Sequence, residues 1–424
     1  MEYFNHYSDE YINTLKQGNG YYKIRLELLS DSETVIGEIT QDLSLATQGQ
    51  ITISYEQVVR RSCSLTLINV DSRYQPHRNS PFWINRKFKL WVGLAVNDNT
   101  YWWAQGVFYT LSATSSNDEL QIEGIDKGGA LDGTLKLNMT DCKMEIERGD
   151  SVGNVIRSIL ALNIGQTVLP NSNVIYSTDK PIDPITPIVG LLYYRQTIES
   201  QLQIDANNYI SEIFTSLADS YGADCYYDID GRFCFMPYIE SAGYHYAPKI
   251  WDFDDLSSFF EDVNYNYSYE GENTVTFYTN SSDATTNNVA WTAYNTNPLS
   301  PLCITTGIRR APSQEMTYYK YFENEALNQR QMIADCRAAA NHYLTAHSLL
   351  GMQLSFSCPI IPHIDVNKSI GISDRKAGID SGIFIIQSVT IPLSANKMNI
   401  DATNINWLPN DMGFDGESQV IEGS

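Results

Sequence analysis

The sequence predicts an α+β protein, mainly β, in which two antiparallel β-domains flank an inserted α+β module and a long helix. Three observations predict this fold class. Alternating apolar and polar residues fill both ends of the 424-residue chain, whereas helical spacing is confined to its middle. The pattern QGVFYTLS at 105–112 returns near the other end as SGIFIIQS at 381–388. The chain also holds 28 tyrosines, a residue type enriched in strands.

The first region, 1–135, is predicted to be a small barrel or sandwich. The segments YYKIRLELL (21–29), GQITISY (49–55) and RSCSLTLIN (61–69) alternate as half-buried strands do. Further strands continue the series until ELQIEGID closes it near residue 126. Several short strands at this spacing are typical of all-β domains.

The inserted α+β module is predicted at 136–250. Helical spacing marks 150–163 and, more strongly, 205–222, where one apolar face recurs. The segment ADCYYDIDGRFCFMPY (223–238) then indicates a hairpin that turns at Asp230-Gly231.

A mixed strand and loop segment is predicted at 251–351, ending in a long helix at about 322–350. The second β-domain follows at 352–407. The last segment, 408–424, carries four acidic residues and no basic one, and we expect a flexible tail that is disordered or is ordered by a partner.

The repeated pattern predicts that the two end domains share one fold. Each copy is followed by a short polar link and a returning strand. Phe108 then corresponds to Phe384, and Ile122 corresponds to Ile400. Alternation gives all four the parity of their apolar neighbours, so we expect them to point into barrel cores.

The charge balance opposes two classes of binding partner. A formal net charge of -22 opposes binding to nucleic acid through phosphates and docking on an anionic membrane. The sequence has no run of about 18 apolar residues, and its start, MEYFNHYSDEY, lacks the basic and apolar parts of a secretory signal. These features predict a soluble protein made in a cytoplasm, without stable membrane binding.

The seven cysteines are predicted to be buried free thiols, because their number is odd and no CxxC occurs. With a two-residue turn at Asp230-Gly231, Cys225 and Cys234 would be diagonal neighbours, which is poor disulfide geometry. His342 and His347 do not share a helix face, and no HExxH is present. The segment YDIDG lacks two calcium-loop ligands and indicates a turn. No metal or cofactor residue is predicted.

The best enzyme candidate is a carboxylate pair for glycoside cleavage within WDFDDLSSFFEDVN at 251–264. Its acidic residues are Asp252, Asp254, Asp255, Glu261 and Asp262. Acids this dense more often form a solvated face, so we predict no catalytic residue and no enzyme. No phosphate-loop, dinucleotide or nucleophile-elbow motif is present. The aromatic, Asn-rich middle leaves receptor or glycan binding as an alternative, although these residues are better explained by sheet packing and subunit contact.

With these segments in place, the chain resembles the tail hub, or baseplate hub, family of tailed bacteriophages and contractile injection systems. One stretch is ISYEQVVRRSCSLTLINVDSRYQP at 53–76 with the strands that follow it. Another is DANNYISEIFTSLADSYGADCYYDIDGRFCFMP at 205–237. The third begins with NPLSPLCITTGIRR at 297–310 and ends in the second β-domain. Together they span most of the chain.

The resemblance implies two tube-like antiparallel β-barrel domains in each chain and a homotrimeric ring. Six similar barrels would then match a hexameric tail tube, while the other side would present threefold symmetry to a tip, spike or fibre. It implies as partners the tail tube or distal tail protein, the tip protein and the tape measure protein, with DNA passing through the bore without specific binding. It implies a virion location after assembly in the host cytoplasm. We expect no appended lysozyme or peptidase domain. The resemblance is equally compatible with a contractile and a non-contractile tail.

Overall fold

The structure is a computed structural model that describes most of the chain. The described ranges are 8–18, 20–40, 45–55, 58–83, 86–116, 118–135, 144–146, 202–204, 209–221, 223–237, 249–254, 261–267, 271–281, 288–298, 300, 302–318, 325–347, 352–404 and 415–421, with short pieces between 152 and 176. The fold class is confirmed as α+β and mainly β.

The N-terminal repeat is a sheet preceded by helix α1, Asp9–Gln17, which begins at the Ser8 cap. Its strands are β1 Tyr21–Leu29, β2 Val35–Thr40, β3 Leu45–Ser54, β4 Arg61–Ile68, β5 Lys87–Val96, β6 Asn99–Ser116 and β7 Glu119–Asp126. They pair in the order β2-β1-β5-β6-β7-β4-β3, each pair antiparallel. The two ends of this path, β2 and β3, are consecutive in the chain, so the path returns to its start as in a barrel.

The inserted module packs around its own apolar core. Its elements are β8 Met144–Ile146, β9 Asn163–Ile164, β10 Thr167–Val168, β11 Val174–Tyr176, β12 Leu202–Ile204, helix α2 Ile210–Tyr221, β13 Ala223–Tyr227 and β14 Phe233–Pro237. Within the helix predicted at 150–163, the described residues Val152, Val155, Ile156 and Leu160 are helical and buried. Asn163, the last residue of that prediction, instead begins strand β9. The predicted helix at 205–222 is confirmed over α2.

The hairpin of β13 and β14 differs from its prediction by one residue of register. Tyr227 faces Phe233, and the Asp228 N–H donates to the Arg232 carbonyl at 3.0 Å, which leaves three residues in the turn rather than two. The Asp228 carboxylate is the physical reason, because it accepts the N–H groups of both Asp230 and Arg232 at 2.9 Å. Local sequence favoured the two-residue turn, and this side chain stabilises the longer one.

The remaining elements form a second sheet with a helix, and complete the C-terminal repeat. They are β15 Lys249–Asp254, β16 Glu261–Tyr267, β17 Thr274–Ser281, β18 Asn288–Tyr294, β19 Gln314–Tyr318, helix α3 Glu325–His347, β20 Met352–Pro359, β21 Ser369–Asp374, β22 Ile379–Pro392, β23 Lys397–Asn404 and β24 Asp415–Ile421. The long helix predicted at about 322–350 is therefore confirmed. Its buried face includes Met332, Cys336, Ala340 and Leu344.

The flexible tail expected at 408–424 is wrong for its residues 415–421. These residues form β24, an antiparallel edge strand of the sheet β19-β17-β18-β24, where Val420 faces Val289. The open edge of β18 offers N–H and C=O groups that the tail satisfies. Acidic composition alone does not show such a long-range partner.

The C-terminal repeat has the strand order of the N-terminal repeat. Its path is β15-β21-β22-β23-β20-β16. With β2 and β3 counted as one interrupted strand, both paths run first, fourth, fifth, sixth, third, second in chain order. The first strand breaks the likeness, because β15 is parallel to β21 whereas β1 is antiparallel to β5.

The likeness extends to residue register. Phe108 faces Asp126 across the β6–β7 ladder, and Phe384 faces Asn404 across the β22–β23 ladder. Two residues after each phenylalanine, both ladders shift register. Such a bulge has a fixed place in a strand pair, so its recurrence marks equivalent positions.

The returning strands agree as well. Ile122 faces Leu65 on β4, and Ile400 faces Phe356 on β20. Both isoleucines are buried, as are Phe108 and Phe384, and they belong to one apolar core shared by the two repeats. The predicted correspondence of the two pairs is confirmed in register and in burial.

Even an exposed hydrogen bond recurs. The Ser112 hydroxyl donates to Glu123 at 2.7 Å, and the equivalent Ser388 hydroxyl donates to Asp401 at 2.6 Å. The two repeats therefore share their strand order, their register shifts and a side-chain hydrogen bond on the solvent face.

Candidate assembly interface

The two repeats are joined edge to edge. Residues 388–392 of β22 pair antiparallel with residues 50–54 of β3, which makes one 13-stranded sheet. We call this pairing the intrachain joint. Its inward side chains are Ile51, Ile53, Val389 and Ile391, each at most 1% exposed. Burial of each such side chain stabilises by about 1.5–3 kcal/mol.

The equivalent segment of the N-terminal repeat has no such partner. Residues 112–116 of β6 pair with β7 on one side. Across the described ranges, no strand lies along their other side. Thr114 and Ser115 are exposed there. Within the described ranges, the chain thus pairs one of its two equivalent edges with a strand and leaves the other without one.

Strand alternation did not predict this joint, although the sequence contains a signal for it. The first copy continues after its repeat as SATSS, and the second continues as SVTIP. Val389 and Ile391 are apolar where Ala113 and Ser115 are small or polar. Apolar residues at inward positions of only one copy indicate that only this copy is covered within the chain.

Buried arginines connect the joint to the rest of the molecule. Arg60 pairs with Asp224 of the module and lies 3.6 Å from the centre of the Tyr226 ring. Arg61 donates to both oxygens of Asp365 at 2.8 Å. Burial alone would lower the pKa of Arg60, but the Asp224 carboxylate holds that pKa above its ordinary value. The first pair attaches the module to the N-terminal repeat, and the second attaches the N-terminal repeat to the C-terminal repeat.

A second ionic cluster attaches the hairpin of the module. The Lys127 ammonium lies 2.5 Å from Glu33 and donates to the Gly231 carbonyl at 2.6 Å. Lys87 contacts the same Glu33 carboxylate at 2.9 Å. Burial lowers the pKa of Lys127 to about 8. Burial would raise the pKa of Glu33, but the two ammonium groups together hold it below its ordinary value.

His363 lies where α1, the N-terminal repeat and the C-terminal repeat meet. Its ring is 5.8 Å from Tyr11, 5.7 Å from Trp103 and 5.7 Å from Trp251, centre to centre. Its Nε2 is 3.4 Å from the Ile250 carbonyl, which only accepts, so Nε2 carries the proton. Nδ1 then accepts from the Tyr11 hydroxyl at 2.9 Å. Burial lowers the pKa of His363 to about 4.

Among the acids considered for glycoside cleavage, the three whose side chains are described lie at exposed positions. Asp252 is exposed and pairs with Lys249 at 2.9 Å, and Glu261 is exposed and pairs with Lys397. Asp262 is also exposed. The Asp254 side chain and Asp255 lie outside the described residues. Asp252 and Glu261 occupy β15 and β16, the two end strands of the path.

Six of the seven cysteines lie in the described ranges, and all six are buried free thiols. Cys225 faces Phe235 while Cys234 faces Tyr226, which puts the two thiols on opposite faces of the hairpin. Burial raises the pKa of Cys234 to about 12. Among described residues there is no cluster of three or more potential metal ligands and no helix long and apolar enough to cross a membrane.

The fold is similar to that of solved tail proteins. No protein-family model and no curated protein sequence matches the chain. The tail protein from Neisseria meningitidis MC58 aligns at a TM-score of 0.53 and 12% identity, over 91% of this chain and 96% of that one. The 43 kDa tail protein of prophage MuSo2 from Shewanella oneidensis aligns at 0.51 and 12%, over 90% and 98%. The chain therefore has the fold of phage tail proteins along nearly its whole length.

Proposed function

We propose that the chain is the hub of a phage tail or tail-like particle, a structural component without enzymatic activity. The observation that carries the proposal is the repetition of one strand ladder, bulge for bulge, at both ends of the chain. A chain with two equivalent units presents twice as many edges as it has copies. Three copies then present six.

The proposed role is symmetry adaptation. Three chains close into a ring through head-to-tail contacts. The six repeats of this ring match a hexameric tail tube or distal tail protein on one side. The unrepeated module and the second sheet give the other side threefold symmetry, suited to a tip, spike or fibre protein, with the tape measure protein inside.

The net charge supports passage of the genome through the ring. A charge of -22 repels phosphates, whereas a bore lined by lysines would bind DNA by counterion release. DNA then passes without specific binding. A bore lined mainly by Lys and Arg would contradict this part of the proposal. The ring is assembled in the host cytoplasm and ends in the virion tail.

The proposed division of the chain follows the same reasoning. It comprises the tube-like domain 1–135, the module 136–250, the segment 251–351, the tube-like domain 352–407 and the tail 408–424. β15 and β16 precede the second tube-like domain and pair into its sheet.

Stoichiometry tests the proposal. Native mass spectrometry of the full chain, over a wide range of concentrations, should show monomers and trimers. Dimers or tetramers as the end point would contradict it, because neither supplies six repeats.

A further inference from the structure

The two long strands β6 and β22 each have two parts, and the second part is where the repeats differ. The first part of each pairs with the preceding strand, β5 or β21. After the bulge, the second part of β22 binds β3 of the other repeat. The second part of β6, residues 112–116, is built alike and faces no strand across the described ranges.

The partner edge also has an equivalent. β3 pairs with β4 and shifts register between Ala46 and Gly49. β16 pairs with β20 and shifts register at the equivalent place, between Glu261 and Asn264. Leu65 of β4 and Phe356 of β20 are equivalent, because they face the equivalent residues Ile122 and Ile400. Three residues before them, Ser62 faces Thr52 of β3 and Gln353 faces Asn266 of β16, so Thr52 corresponds to Asn266. The described sheet ends at β16.

We propose that residues 113–116 of β6 in one copy of the chain pair antiparallel with β16 of the next copy, in the register of the intrachain joint. This interchain joint rests on the proposed function, because it names the edges through which the ring closes. Its predicted pairs are Ala113 with Tyr267, Thr114 with Asn266, Ser115 with Tyr265 and Ser116 with Asn264.

The two joints differ in chemistry. The intrachain joint buries Ile51 against Ile391 and Ile53 against Val389. The interchain joint puts serine and alanine in place of Ile391 and Val389. Less aliphatic surface leaves water there, so main-chain hydrogen bonds carry more of the contact. The interchain joint is therefore the weaker one, and a ring of three dissociates into folded monomers on dilution.

Hydrogen bonding in the intrachain joint identifies the best test positions. The Leu393 N–H donates to Gly49, and the Tyr55 N–H donates to Gln387, both at 2.9 Å. Hydrogen-bonded pairs alternate with closer, non-bonded ones, with Cα atoms about 4.5 Å apart in the latter. Thr390 and Thr52 are such a close pair, with side chains on the outer face. Thr114 and Asn266 are their equivalents.

The experiment is disulfide trapping in the full chain. The double variant T114C/N266C, oxidised at high concentration, should give covalent trimers on a non-reducing gel. The matched control T52C/T390C should form its disulfide within one chain at any concentration. T114C or N266C alone should give no covalent trimer. In T114C/N264C the two cysteines are diagonal and not directly opposite, so this variant should give at least tenfold less covalent trimer than T114C/N266C.

A second variant tests the same joint without new thiols. Alternation along β22 directs the Ile391 N–H toward β3, so the equivalent Ser115 N–H points away from β7. Ser115→Pro removes this donor and leaves the β6–β7 ladder intact. The variant should fold, keep the T52C/T390C disulfide, and lose the trimer, whereas Ser115→Ala should keep the trimer.

The outcomes separate the two proposals. Covalent trimers from T114C/N266C support both. Trimers in native mass spectrometry without this cross-link overturn the interchain joint and leave the hub proposal standing. Monomers at every concentration, with no cross-link, overturn both.

Discussion

His363 should make the contact between the two repeats sensitive to acid. The change is His363→Gln, which keeps an N–H group for the Ile250 carbonyl and removes the titrating ring. The ring lies among Tyr11, Trp103 and Trp251, so the variant should lose about 0.5–3 kcal/mol at neutral pH through weaker packing.

The magnitude of the pH effect follows from the pKa. Burial lowers the pKa of His363 from 6.5 to about 4, so between these values the unfolded chain binds a proton that the folded chain does not. The free energy of unfolding therefore falls as the pH falls. At about 1.36 kcal/mol per pH unit, the loss is about 3 kcal/mol at pH 4 and absent above about pH 6.5. Carboxylates also make the free energy of unfolding depend on pH, but they do so equally in wild type and variant. The difference in unfolding free energy between the two proteins therefore reports the contribution of His363.

The assay is urea unfolding of wild type and variant from about pH 7.5 to 4. The stability advantage of wild type should shrink by about 3 kcal/mol over this range, and at the acidic end the variant should equal or exceed it. His77→Gln, at an exposed histidine, is the control and should follow wild type throughout. A difference between wild type and His363→Gln that stays constant with pH would refute the reasoning.

Three further predictions concern stability and activity. Glu33→Gln should lower the free energy of unfolding by about 3 kcal/mol, because the buried Lys127 loses its carboxylate; a loss below 1 kcal/mol in urea unfolding would contradict it. Phe108→Ala and Phe384→Ala should each cost about 3–5 kcal/mol, since both rings are fully buried at equivalent positions, and unequal losses would show that the repeats are packed differently. Alanine at all five acids of 251–262 should leave any wall hydrolysis by the particle unchanged, and a large drop with normal assembly would indicate catalysis.

The sequence pattern predicted the features of the fold that depend on interactions between residues close together in the chain. Alternation located most strands, helical spacing located α2 and α3, and the repeated unit matched Phe108 with Phe384 in the correct register. These features depend on side chains within a few residues of one another. The sequence therefore predicted the N-terminal and C-terminal repeats and their structural equivalence.

Long-range pairing was not predictable in the same way. The joint between β3 and β22, the strand formed by 415–421 and the addition of β15 and β16 to the C-terminal repeat each join segments far apart in the chain. Their hydrogen bonds are made by backbone groups that every residue carries. Only the contrast between Ile391 and Ser115 hinted at which edge is covered. Ionic contacts such as that between Arg60 and Asp224 could not be predicted either, because the two residues are far apart in the chain.

The most direct test of the central claim is a cryo-EM reconstruction of the tail particle that contains this chain. We predict three copies in one layer, with their six repeats in a single ring and β6 of each copy beside β16 of the next. Any other copy number, or repeats of one chain that do not share a ring, would contradict the account.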